Sequence, residues 1–198
     1  MRALKPILGL LIVVILIVLG VGLVLPKEYR VERSIMVEAS PSTVFYQVDN
    51  PGRSDEWFPW IAPDTNIQPG FSGPFRGVGA KVTWTSPDSD TVSQTITRSE
   101  LYTRIETQLD LAEMGQPTGD WSFESTDTGA RVVWGINGAA PGVLGGYFAR
   151  TMDGRFGPEM EEGLAKLKVI SEGSEHVDPI LDIEEWNDSD AEADPAIP

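Results

Sequence analysis

Five tryptophans, Trp57, Trp60, Trp84, Trp121 and Trp134, stand in the middle of the chain, the last three on the apolar positions of alternating, strand-like segments. Rings sharing one face of a sheet either fill a core or line an apolar pocket, and alternation is compatible with both. Polar residues on the same inward parity would orient a bound molecule. They are few: Gln94 between Val92 and Ile96, and Thr103 and Thr107 between Leu101 and Leu109. A buried glutamine must be hydrogen-bonded within the protein or face a solvated cavity. On the opposite wall, a C-terminal helix would present Phe148, Met152 and Phe156. Such a lining suits a small hydrophobic or amphipathic ligand.

Catalysis has fewer candidates. The chain has no cysteine and one histidine, His176, which lies in a charged stretch near the C-terminus. Thiolate nucleophiles, disulfides, Cys-containing metal centres, Ser-His-Asp chemistry and HExxH zinc sites are excluded from the domain. Glu106, Asp110, Asp120 and Glu124 fall on the outward parity, where paired-carboxylate chemistry lacks a dry site. Glu56, beside Trp57, and Gln94 remain as catalytic candidates, for an enzyme that moves protons with a carboxylate or water. No metal and no cofactor is expected. Asp188-Ser189-Asp190-Ala191-Glu192 imitates the start of a calcium loop without its glycine and final glutamate. Gly73 to Lys81 fails the phosphate-loop spacing, because position 78 is valine, and reads as turns.

The elements that position these residues follow in order. Residues 27–38 alternate as a half-buried strand, with Arg33 on the apolar parity, so the strand bulges there or the covered stem lets the guanidinium reach out. Ser40-Pro41 starts a short helix and Asn50-Pro51-Gly52 ends it, with a second short helix over 53–58. Strand-like runs at 80–86, 91–98, 101–111, 118–125 and 130–136 are joined by short turns, which implies an antiparallel meander. From 143 to 170 Leu144, Phe148, Met152, Phe156, Met160 and Leu164 recur every four residues, the stripe of one long helix that Pro158 should kink or break. A curved sheet with one apolar face and a helix with one apolar stripe bury each other. The expected class is therefore α+β, a curved antiparallel sheet wrapped around a long C-terminal helix, with two short helices closing one end.

Residues 7–25 read ILGLLIVVILIVLGVGLVL, nineteen positions without a charge. As a helix they reach about 28 Å, close to the hydrocarbon core of a bilayer. This divides the chain into a transmembrane anchor at 1–26, a domain at 27–171 and an acidic tail at 172–198. A cleaved signal would share the basic start, but its apolar region is usually shorter, and Gly20-Val21-Gly22 lies inside the run. The flanking charges are nearly tied, and the reading favoured is an uncleaved single-pass anchor with its N-terminus inside and the domain extracytoplasmic. Ten acids and no Lys or Arg lie between Ser171 and Pro198, which accounts for most of the formal charge of −15. Such a tail has the composition of a disordered segment, and its apolar island of Ile180, Leu181, Ile183 and Trp186 can dock either on a protein partner or on the parent domain. Without a basic stripe, nucleic acid is not a partner.

The segments VERSIMVEASPSTVFYQVDNPGRSDEWFPW at 31–60, SGPFRGVGAKVTW at 72–84, TGARVVW ending at Trp134 and LGGYFARTMDGRFGPEMEEGLAKLK at 144–168 resemble, in this order, the SRPBCC superfamily with the START-like helix-grip fold. The chain is similar in particular to its membrane-anchored, polyketide cyclase/dehydrase-like members. The resemblance covers about residues 28–170. It implies a hydrophobic ligand enclosed between sheet and long helix or, as the alternative, an enzyme of the polyketide cyclase or dehydratase type.

Overall fold

The computed structural model describes residues 4–59, 67–86, 89–112 and 115–174. Trp60 and residues 175–198, which carry the calcium-like run and the apolar island, lie outside the described residues. Helix α1 spans Leu4–Val24, and β1 follows at Glu28–Val37. Helix α2 (Pro41–Asp49) starts as its sequence requires, since Ser40 Oγ accepts from the Thr43 amide and Pro41 occupies the first turn, where no amide is needed. A 3₁₀ turn at Pro51–Glu56 replaces the expected second helix, and Asn50 caps it through the Gly52 amide.

Strands β2 (Gln68–Ser72), β3 (Lys81–Ser86), β4 (Ser89–Glu100), β5 (Arg104–Asp110), β6 (Thr118–Thr126) and β7 (Gly129–Ala139) then form one antiparallel sheet with β1, in the order β1-β7-β6-β5-β4-β3-β2. Strand β2 falls where the sequence predicted no strand, just before the turns read at 73–81. It is an exposed edge strand, a place that tolerates Pro69 and needs no alternation. The turns that follow do use glycine: Gly73, Gly77 and Gly79 all have φ between 76° and 91°. Strand β1 pairs with β7 without a shift, so Arg33 makes no bulge. Its guanidinium instead crosses Gly157 and reaches Asp153 and Glu161 at 2.8 and 2.7 Å.

The C-terminal stripe is not one helix. Helix α3 (Gly145–Ala149) is separated from α4 (Met152–Gly173) at Arg150–Thr151, whereas Pro158 is accommodated inside a continuous α4. The break therefore lies eight residues upstream of the proline. Helix α4 lies along β1 and α2, burying Phe156, Met160, Leu164 and Leu167. It continues to Gly173, where Glu172 accepts the Glu38 amide at 2.7 Å.

Candidate functional site

The concave face of the sheet divides into two regions. Over β6 and β7 the tryptophans pack on one another: Trp121 stacks on Trp134 with centroids 4.5 Å apart, and Trp57 stands edge-on to both at 5.4 and 6.1 Å. Helix α4 comes close enough that a Cβ on Gly163 would lie 3.2 Å from the Trp134 ring. Over β3, the 3₁₀ turn packs on the sheet, and Phe58 just after it stacks on Trp84 at 4.9 Å. Indole donors are satisfied locally, Trp57 Nε1 by the Gln47 carbonyl and Trp84 Nε1 by Asp55 Oδ1. Trp57, Trp121 and Trp134 are thus mutually packed core rings and Trp84 is packed on Phe58, each tryptophan at most 4% exposed.

Between these regions β4 carries Gln94. It is 4% exposed, flanked across the sheet by Val82 on β3 and Leu109 on β5, and its carboxamide oxygen has no hydrogen-bond partner. Thr107 is buried on the same parity, its hydroxyl resting over Gly119, where any side chain would collide with it. Gln94 and Thr107, with Val82, Leu109 and Trp84, form the candidate ligand-binding patch. An unpartnered amide in such surroundings costs about 1–3 kcal/mol, which a donor on a bound molecule would recover.

Other expected site residues are placed elsewhere. Thr103 and Leu101 were expected to face inward, but β5 begins only at Arg104; Leu101, Tyr102 and Thr103 form the β4–β5 turn, and both Leu101 and Thr103 are exposed. Thr103 bonds the Glu100 carbonyl instead. Phe148 leaves the expected helical stripe because of the break at Arg150–Thr151, and it is 55% exposed on α3. Met152 and Phe156 remain against the core, Phe156 stacked on Tyr29. Glu56 is exposed at the end of the 3₁₀ turn, away from the dry surroundings that a general acid needs.

Two polar clusters lie outside this patch. On the outer face, Arg30, Thr97, Arg104, Glu106, Asp120 and Asn137 border an open cleft of about 350 Å³. Arg30 bonds both oxygens of Asp120 at 2.8 and 2.9 Å and also reaches Asn137 and Glu32. The guanidinium fork, helped by Asn137, holds the Asp120 carboxyl below its ordinary range although partial burial opposes it. At the end of α2, Asp49 is 5% exposed and accepts from Ser99 Oγ at 2.6 Å. Burial pushes its carboxyl above the ordinary range, with Ser99 and Arg76 pulling the other way. The sequence marked Asp49 only as a helix end. The β4 register shift between Ile96 and Arg98, which turns Ser99 inward, has no signature in alternation.

Solved structures of the same fold come from several bacteria. A protein of unknown function from Staphylococcus aureus superposes with a TM-score of 0.61 at 11% identity, over 74% of this chain and 95% of its own. A Rhodobacter sphaeroides protein gives 0.55 at 19% identity over 74% and 94%, and one from Rhizobium leguminosarum 0.54 at 15% over 75% and 97%. These likenesses concern the fold alone. No curated protein matches the chain in sequence. Residues 28–172, from the first residue of β1 to the last turn of α4, match the family described as "Polyketide cyclase / dehydrase and lipid transport", with its helix-grip fold, and the chain belongs to that family.

Proposed function

We propose that the domain binds a small amphipathic molecule of lipid character on the concave face at Gln94, and that α1 anchors it in a membrane with the N-terminus inside and the domain extracytoplasmic. The observation that carries the binding reading is the Gln94 carboxamide oxygen, buried without a partner between Val82 and Leu109. A hydroxyl or a protonated carboxyl would supply the missing donor, while the apolar neighbours take the hydrocarbon. The anchoring reading rests on Ile7–Val24, with a mean hydropathy of 3.4 and almost bare sides. Catalysis is not part of the proposal. Glu56 is exposed, and the Asp49 carboxylate is engaged by Ser99 at the far end of α2.

The solved relatives consist almost wholly of this fold, so residues 27–174 are expected to fold without α1. That fragment, purified without detergent and extracted into organic solvent, should yield a stoichiometric amphipathic compound by mass spectrometry. Gln94→Leu should keep the fold by circular dichroism and lose the compound. An empty wild-type domain whose spectra do not respond to added fatty acids or phospholipids would refute the reading.

A further inference from the structure

The chain leaves β7 through Ala140 and forms a lip of Val143, Leu144, Tyr147 and Phe148 before turning into α4. Val143, Leu144 and Phe148 are 39%, 42% and 55% exposed, a cluster of large apolar side chains with no cover in the domain. The same lip is docked on the end of α1. Tyr147 Oη donates to the Val18 carbonyl at 3.0 Å. Gly22 is buried there, since a Cβ on it would lie 2.5 Å from the Val143 carbonyl oxygen and 3.1 Å from the Tyr147 ring. Gly146 is pressed against Leu25 so closely that any side chain would overlap it. Val18 precedes the last residue of α1 by six positions, about 9 Å along the helix axis.

We propose that this lip sits in the lipid bilayer that α1 crosses, at the level of headgroups and first methylenes, so that the domain is held against the membrane in one orientation. The proposal rests on the reading of α1 as a span. Given that, Tyr147 is bonded to a backbone carbonyl well inside the apolar run, and the lip beside it must share that depth. Val21, Leu23 and Val24 at the end of α1 are large apolar residues exposed like Leu144 and Phe148. Tyrosine is suited to such a boundary, with its ring in an apolar layer and its hydroxyl bonded. Lys27, whose stem lies against Gly145, marks the level at which charge returns.

The absence of cysteine makes the test direct. Single variants of the full chain, Leu144→Cys, Phe148→Cys, Leu16→Cys in mid-span and Asp127→Cys in the β6–β7 turn, would carry an environment-sensitive nitrobenzoxadiazole label in phosphatidylcholine–phosphatidylglycerol vesicles. Labels at 144 and 148 should be blue-shifted, protected from iodide and quenched by lipids spin-labelled near the headgroup; the label at 127 should show the opposite. Adding Gly22→Leu should drive the 148 label toward the behaviour of 127 and leave 16 unchanged. Iodide quenching at 148 equal to that at 127, with 16 protected, would overturn the lip while preserving the span. Iodide quenching at 16 would instead remove the span reading. Protection at 148 without quenching by lipid would mean that protein, a second copy or another chain, covers the lip, which also overturns the proposal.

Discussion

Gln94 and Asp120 are both polar residues of the sheet, and the pleat gives them opposite roles. Gln94 points inward and lacks a partner, so Gln94→Leu should raise the stability of the ligand-free domain by about 1 kcal/mol in urea unfolding. Asp120 points outward and is held by Arg30 and Asn137. Its folded carboxyl ionises below the ordinary value, so its stabilisation is present above about pH 3.9 and is lost as the pH falls through the folded value. Asp120→Asn should therefore cost roughly 1 kcal/mol near neutral pH and flatten the acid side of the stability profile, a modest effect because the network is partly solvated. Asp49 carries the reverse sign. Burial raises its folded value, so ionisation erodes stability as the pH rises above about 3.9. Asp49→Asn keeps an acceptor for Ser99, and its stability should exceed that of wild type increasingly as the pH rises above about 3.9 until the folded carboxyl has ionised, as read by urea midpoints at successive pH about one unit apart.

At the scale of elements, the decisive contact is α4 against the tryptophan cluster. Gly163 is a helical glycine, and on an exposed helix Gly→Ala would stabilise by about 1 kcal/mol. Here the added Cβ would lie 2.9 Å from the rigid ring of half-buried Pro59 and 3.2 Å from the buried Trp134 ring, so Gly163→Ala should lower the melting temperature instead. A rise on thermal unfolding would mean that α4 sits farther from the sheet. The C-terminal end of α4 offers a second test at this scale. Fragment 27–171 lacks Glu172, which accepts the Glu38 amide and pairs with Lys168, and should melt about 2–4 °C below fragment 27–174. In the full chain, removal of 175–198 should leave both melting and ligand recovery unchanged, unless the tail carries the function.

For the whole molecule, the two proposals meet at one end of the fold. Strand β1 begins and β7 ends beside α3, and β6 begins at Thr118, two pairs inward from that edge. Strand β5, which carries Leu109, ends toward the same side. An anchor docked on α3 therefore turns the ends of these strands toward the bilayer. Much of this architecture is legible in the chain. Alternation in β1, β3, β6 and β7, the Ser40-Pro41 start of α2 and the helical spacing of Phe156, Met160 and Leu164 each encode a local preference that burial reinforces. The break at Arg150–Thr151 was not legible, because Leu144 and Phe148 keep the helical spacing although they serve a different surface.

The sequence by itself determined the apolar span, the helix-grip order of elements and the inward direction of Gln94, Trp84, Trp121 and Trp134, since each follows from composition or period along a few neighbouring residues. Only the tertiary structure decided what those side chains meet. Periodicity names the face a residue turns toward the interior, but ligand and protein present the same apolar chemistry there, so nothing local separates a pocket wall from a stacked pair such as Trp121 and Trp134. The same limit hid the Arg33 clamp across Gly157, the Asp49–Ser99 pair and the Tyr147–Val18 bond. Each joins residues at least fifty positions apart, and such contacts exist only once the chain has closed.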